Sequence, residues 1–212
     1  MRALAVLPVL FYHAGVPGFG GGYVGVDVFF VISGFLITGI IAREIDEGRF
    51  SLLQFYERRA RRIMPALLAV VAAVLVGAAV IYLPADFNLV PRSALASLGF
   101  VSNVLFFTET GYFQGGAETK PLLHTWSLSI EEQFYLGFPL LLLLIARFMP
   151  RMRKVVVASL AALSFALAVA MQNDGTGFAF FMLPTRVWEL AAGALLALGV
   201  PAVQGRALRE LL

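Results

Sequence analysis

No cysteine occurs among the 212 residues, and there are only two histidines, His13 and His124. The first absence excludes disulfides, thiolate metal sites and a cysteinyl acyl-enzyme. The second argues against a dedicated transition-metal centre, because such sites draw several ligands from His, Cys and carboxylates. Charge is scarce as well. Asp, Glu, Lys and Arg make up 14% of the chain and hydrophobic residues 60%, whereas soluble domains are about a quarter charged. With a mean hydropathy of +0.86, composition alone predicts a polytopic membrane protein. The net charge of +3 does not point to nucleic acid. The basic residues flank apolar spans, the pattern of cytoplasmic membrane borders.

A helix crosses the hydrocarbon core with about 20 residues. Apolar windows fall at 2–15, 24–42, 64–83, 128–147, 155–171 and 178–199. The apolar stretch 93–107 is too short to cross and reads as re-entrant or interfacial. The expectation is therefore an all-α, polytopic transmembrane helix bundle with about six spans and one such segment. The first window is short and reads as a span without its leading residues, not as a cleaved signal peptide. Charge orients the bundle. The links carrying Arg43, Arg49 and Arg58 to Arg62, and Arg147 to Lys154, are basic, so they are assigned to the cytoplasm. The Gly-rich turn 16–22 and the loops 108–125 and 172–177 then face outward. Residues 51–63 read as an interfacial helix capped by Ser51, which Pro65 breaks from the third span.

Ionisable groups near the first two spans invite a functional reading, since each charged side chain at bilayer depth costs about 2.5–3.5 kcal/mol on insertion scales. Arg2 and His13 are eleven residues apart, about three helical turns or 16 Å, and so share a helix face. Histidine accepts and returns a proton near neutral pH; the alternative is a helix-end histidine anchored at the interface. Asp27 falls one turn inside the second span, where a tight hairpin brings it close to the level of His13. Its simplest role is to pair with an arginine.

Three further groups stand out. Arg58, Arg59, Arg61 and Arg62 form either a topology anchor on lipid phosphates or a phosphate clamp, because arginine offers a bidentate fork to phosphate oxygens. Around the start of the fourth window lie His124, Trp126, Ser127, Ser129, Glu131, Glu132, Gln133 and Tyr135. Ser127 or Ser129 caps this helix and the glutamates favour its positive end. Glu131 and Tyr135 lie one turn apart on one face, as the wall of a polar pocket would. Last, Arg186 and Glu189 have the spacing of an intrahelical salt bridge.

Six motifs in order carry a resemblance. They are Arg2-x10-His13, Gly25-Val-Asp-Val-Phe-Phe-Val-Ile-Ser-Gly-Phe-Leu, Phe55-Tyr-Glu-Arg-Arg-Ala-Arg-Arg-Ile-Met-Pro, Gly111-Tyr-Phe, Leu122-Leu-His-Thr-Trp-Ser-Leu-Ser-Ile-Glu-Glu-Gln-Phe-Tyr and Arg186-Val-Trp-Glu-Leu-Ala-Ala-Gly. Together they resemble the bacterial acyltransferase-3 family of membrane O-acyltransferases. The run Lys120-Pro-Leu-Leu-His-Thr-Trp-Ser-Leu is most similar to its lipopolysaccharide and peptidoglycan O-acetyltransferase branch.

The resemblance implies a multi-pass enzyme of the bacterial inner membrane. It takes an acyl group, usually acetyl, from cytoplasmic acyl-CoA and delivers it to a hydroxyl of an envelope glycan such as lipopolysaccharide O-antigen. His13 is then the catalytic histidine and Arg2 its motif partner, with Asp27 and Glu131 as further catalytic candidates. Arg58, Arg59, Arg61 and Arg62 contact the donor, whose pyrophosphate and 3′-phosphate suit such a cluster. His124, Trp126, Ser127, Gln133, Tyr135, Arg186 and Glu189 are the candidate substrate pocket. No permanently bound cofactor, metal or nucleic acid is expected; the partners are membrane lipids, acyl-CoA and the glycan. Residues 1–212 are read as the N-terminal part of a longer acyltransferase domain whose later spans, and any soluble C-terminal domain, lie outside this chain. The rival reading is a proton-coupled transporter or flippase of a glycan precursor, in which the same buried groups relay protons; the paired broken repeats of such folds are not visible.

Overall fold

The computed structural model describes residues 2–83, 87–109, 120–173 and 175–199. Among these residues the chain is all helical: α1 Arg2–His13, α2 Gly25–Asp46, α3 Leu52–Ile81, α4 Leu89–Leu98, α5 Ser102–Thr108, α6 Thr125–Phe148, α7 Arg153–Met171, α8 Phe178–Phe181 and α9 Leu183–Gly199. Four helical stretches are long and apolar enough to cross a membrane, Gly22–Asp46, Leu52–Ile81, Thr125–Phe148 and Pro150–Met171. They contain or closely overlap the windows 24–42, 64–83, 128–147 and 155–171. The first and last windows correspond to the shorter α1 and to the pair α8 and α9. The chain forms two compact units, one of Met1–Phe50, Phe138–Leu167 and Arg186–Leu212, the other of Ser51–Gly137 and Ala168–Thr185.

The first unit is built on close backbone approaches. After α1 the chain reverses through Gly15 and Gly18, at φ +68° and +91°, a conformation glycine adopts without steric cost. One 3-10 turn, Gly22–Val24, leads into α2. A Cβ at Gly22 would lie 2.1 Å from the Pro8 carbonyl oxygen, and one at Gly25 would lie 2.2 Å from that of Ala5. These contacts fix the antiparallel register of α1 on α2. Helices α2 and α9 meet in the same way. A Cβ at Gly34 would lie 1.9 Å from the Leu190 carbonyl oxygen, and one at Gly193 would lie 1.9 Å from that of Val31. Small residues that let backbones touch are what helix association in lipid favours, since apolar burial gives no net drive there. The Trp188 amide donates to Ser164 Oγ at 3.0 Å, tying α9 to α7. Arg153 at the start of α7 pairs with Asp46 at the end of α2, at 2.7 Å. The ends beside the two basic links thus adjoin, as the charge assignment requires.

The second unit centres on Leu67 and Val71 of α3, Ala94 of α4 and Leu122, with Val74, Leu75, Leu98, Phe100 and Leu128 packed around them. Helix α3 departs from expectation. Ser51 does cap it, accepting from the Gln54 amide at 3.5 Å, but Pro65 lies inside one continuous 30-residue helix. Proline removes a single i→i−4 bond, and the uninterrupted apolar ladder that follows outweighs that loss. The 178–199 window is divided instead, at Met182, whose backbone is extended at φ −100°, ψ 138°. Pro184 falls in the first turn of α9, where its missing N–H costs nothing.

The 93–107 segment is two short helices broken at Gly99–Val101, with Phe100 at φ +54°. Non-helical backbone away from water needs substitute partners, and side chains supply them. Gln133 Nε2 donates to the Phe100 carbonyl at 2.8 Å and to Asn103 Oδ1 at 2.8 Å. Asn103 Nδ2 donates to the Phe181 carbonyl at 3.1 Å, where α8 ends. A row of buried hydroxyls continues the stitch: Ser97 with Thr125 at 2.7 Å, Thr125 with Ser102 at 2.9 Å, and Ser102 with Ser129 at 2.8 Å.

Candidate active site

His13 is the last residue of α1 and is exposed. Its Nδ1 lies 2.8 Å from the Val9 carbonyl oxygen. A carbonyl only accepts, so Nδ1 must be the donor. In the neutral ring this leaves Nε2 with the lone pair, the form a general base or nucleophile needs. The Tyr12 ring meets the imidazole edge-on at 5.2 Å and the Tyr23 ring at 5.7 Å, so the turn end of the hairpin is lined with aromatics. The backbone of Arg2 begins α1, but its side chain lies outside the described residues, as does the Gly111-Tyr-Phe motif.

Asp27 does not lie level with His13, contrary to the hairpin expectation. Gly22 faces Pro8 and Gly25 faces Ala5, so in this antiparallel register Asp27 falls near the level of Ala3, about 15 Å along α1 from His13 at 1.5 Å per residue. A Gly-rich turn fixes the direction of a hairpin; the glycine contacts fix its register. Asp27 instead accepts from Arg186 Nη1 at 2.8 Å, and the same nitrogen donates to Glu189 Oε1 at 2.5 Å. The expected intrahelical pair is therefore present, with Asp27 as a third member. Glu189 is 0% exposed, and its Oε2 has no partner among the described residues. Two carboxylates thus share one guanidinium. On α2, the buried hydroxyls of Ser33 and Thr38 also have no described partner. No sequence motif singled these two out.

In the second unit the four arginines are not equivalent. Arg58, Arg61 and Arg62 are exposed, and Arg61 pairs along the helix with Glu57 at 2.7 Å. Arg59 is largely covered, its side chain 11% exposed, and Nη2 donates to Glu132 Oε1 at 2.7 Å. Its guanidinium carbon sits 3.9 Å from the centre of the Tyr135 ring. Tyr135 is 1% exposed and Glu131 2% exposed, and the phenol donates to Glu131 Oε1 at 2.5 Å. The one-turn spacing of Glu131 and Tyr135 is realised as a direct bond. Tyr56 extends the contact between α3 and α6, donating to the Leu136 carbonyl at 2.6 Å. From sequence Glu132 is only a charge favouring a helix N-terminus; a pairing across 73 positions leaves no local signal.

The remaining candidates surround the start of α6. This helix begins at Thr125, so neither Ser127 nor Ser129 caps it. Ser127 Oγ donates to the His124 carbonyl at 3.1 Å, and Ser129 Oγ is taken by Ser102. Trp126 packs on Phe180 and Phe181, with ring centres 4.5 and 5.7 Å away. Gln133 serves the Phe100 and Asn103 stitch. His124 is exposed at the helix entrance, yet its crowded surroundings pull the imidazole below the ordinary histidine value by desolvation, against the opposing pull of a hydrogen bond with the Pro121 backbone.

The first helix thus ends in a histidine whose Nδ1 is committed to a backbone carbonyl, α3 starts with a cluster of arginines, and α6 and α9 carry buried carboxylates. The sequence matches the acyltransferase domain family over residues 1–209. The chain belongs to this family. It is 35% identical over 201 residues to the O-acetyltransferase OatA of Staphylococcus aureus, covering 93% of this chain and 33% of that protein. It is 36% identical over 203 residues to the peptidoglycan O-acetyltransferase OatA of Listeria monocytogenes, covering 93% of this chain and 32% of that one. An uncharacterized protein of Haemophilus influenzae is 38% identical over 179 residues, covering 81% of this chain and 73% of the relative. The chain therefore spans about a third of the length of the OatA relatives. No solved structure matches it.

Proposed function

We propose that the protein transfers an acetyl group from acetyl-CoA to a hydroxyl of an envelope glycan, with His13 at the reacting centre. The observation that carries this reading is the His13 ring itself, with Nδ1 committed to the Val9 carbonyl and Nε2 left as the basic nitrogen. In the simplest mechanism Nε2 takes the proton of the acceptor hydroxyl while its oxygen attacks the thioester carbonyl. The tetrahedral intermediate then expels the CoA thiolate, which receives the proton from the imidazolium. Transient acetylation of Nε2 followed by attack of the alcohol gives the same balance in two steps. The arginine-rich start of α3 supplies cations for the donor's phosphates, and this basic end belongs to the cytoplasmic face, where acyl-CoA is made. Peptidoglycan is the preferred acceptor because the Listeria monocytogenes relative bears that name; lipopolysaccharide is the alternative within the same chemistry. The proposed location is the bacterial cytoplasmic membrane.

The test is mass spectrometry of peptidoglycan and lipopolysaccharide O-acetylation in a deletion strain complemented with wild type or His13→Ala. Acetylation restored by wild type and absent with His13→Ala, at equal membrane abundance, is the expected result. Undiminished acetylation with the variant refutes the assignment. Binding of acetyl-CoA to the purified protein in nanodiscs checks the donor separately.

A further inference from the structure

Arg58, Arg61 and Arg62 fall within an arc of about 100° on α3, and Arg59 lies a further 60° round the helix. That rotation turns three side chains outward and presses the fourth against α6. Arg59 spends one donor on Glu132, and its Nε is buried with no described partner. The flat face of its guanidinium covers the phenol ring whose hydroxyl is bound to Glu131. A phosphate ligand must reach the guanidinium from solvent; Arg58, Arg61 and Arg62 are exposed, whereas Arg59 is covered by a carboxylate and a ring. Conversely, a buried carboxylate and phenol locked by a cation are costly to maintain for stability alone, since apolar side chains of similar volume pack as well or better.

We infer that Arg59 is a positioning residue that holds the buried Tyr135 and Glu131 pair for the transfer step, while donor phosphates are met by Arg58, Arg61 and Arg62. This rests on the acyl-transfer reading above. It separates two effects that a uniform arginine cluster would merge. Loss of an outward arginine weakens donor binding and leaves turnover at saturation intact. Loss of Arg59 lets the phenol turn and slows turnover without changing donor affinity.

The experiment uses the full chain in nanodiscs with acetyl-CoA and a soluble glycan fragment. Arg59→Gln is expected to lower kcat about tenfold with the acetyl-CoA KM within about twofold, and Arg62→Gln to do the reverse. Tyr135→Phe keeps the ring under the guanidinium and removes only the bond to Glu131. Its effect on kcat combines non-additively with Arg59→Gln and additively with Arg62→Gln. Arg59→Lys, a point charge without a planar face, restores less than half of the lost rate. A 3-fluorotyrosine at position 135 gives a 19F resonance that moves in Arg59→Gln and stays in Arg62→Gln. An Arg59→Gln enzyme with raised donor KM and intact kcat, or an unmoved fluorine resonance, overturns the inference. Wild-type protein inactive with acetyl-CoA sinks the donor reading and the positioning role given to Arg59 with it. The resonance then shows whether the contact itself survives that failure.

Discussion

Replacing Arg186 with Gln tests the charge arrangement of α2 and α9 most directly. The substitution removes the donor to both Glu189 Oε1 and Asp27 Oδ1. The two carboxylates differ in exposure: the Glu189 side chain is 1% exposed and that of Asp27 36%. Breaking a buried ion pair by deleting one partner costs about 3–5 kcal/mol, because the other charge is left without compensation. A partly exposed pair such as Asp27 with Arg186 is worth at most about 1 kcal/mol. Nearly all of the expected loss of about 4 kcal/mol therefore comes from Glu189. Glu189→Gln alone keeps Arg186 on Asp27 and removes the buried negative charge, at about 1–2 kcal/mol. The double variant Arg186→Gln with Glu189→Gln recovers about 2–3 kcal/mol relative to Arg186→Gln. Reversible denaturant unfolding in mixed micelles, followed by tryptophan fluorescence, measures all three. A loss below about 1 kcal/mol for Arg186→Gln, or no recovery in the double variant, refutes the reasoning.

Gly34→Ala puts a Cβ 1.9 Å from the Leu190 carbonyl oxygen and forces α2 from α9, at about 3 kcal/mol in the same assay. Gly39→Ala on the same helix meets nothing within 4 Å and is neutral or slightly stabilising. Gln133→Leu strips the Phe100 carbonyl of its side-chain donor and lowers stability by about 1–3 kcal/mol; hydrogen exchange in residues 99–103 rises more than elsewhere. His124 has a folded-state pKa below its unfolded value, so the unfolded chain binds more protons as pH falls through the usual histidine range. Stability is fully retained above that range and declines as pH falls toward the folded value. His124→Gln flattens this part of the curve; an unchanged pH dependence refutes the link.

The sequence by itself determined the helical class, most of the helix positions and the pairs that lie on one helix. Apolar windows of bilayer length leave few alternatives, and side chains three or four residues apart on a helix are neighbours that can meet, as Arg186 with Glu189 and Glu131 with Tyr135 do. It also marked His13 as a candidate, because a histidine eleven residues after an arginine shares its helix face within an apolar span. Only the tertiary structure decided which helices bring these groups together. The register of α1 on α2, which parts Asp27 from His13 and leaves it to Arg186, depends on where glycines let two backbones touch. The division of the arginine cluster depends on a 100° rotation per residue combined with the position of α6, and the Glu132 partner is 73 positions away. Proline was the weakest guide. Pro65 lies within a helix because the long ladder that follows outweighs one lost bond, whereas the chain breaks just before Pro184, which then falls in a first turn where no N–H is needed; the residue alone does not distinguish the two.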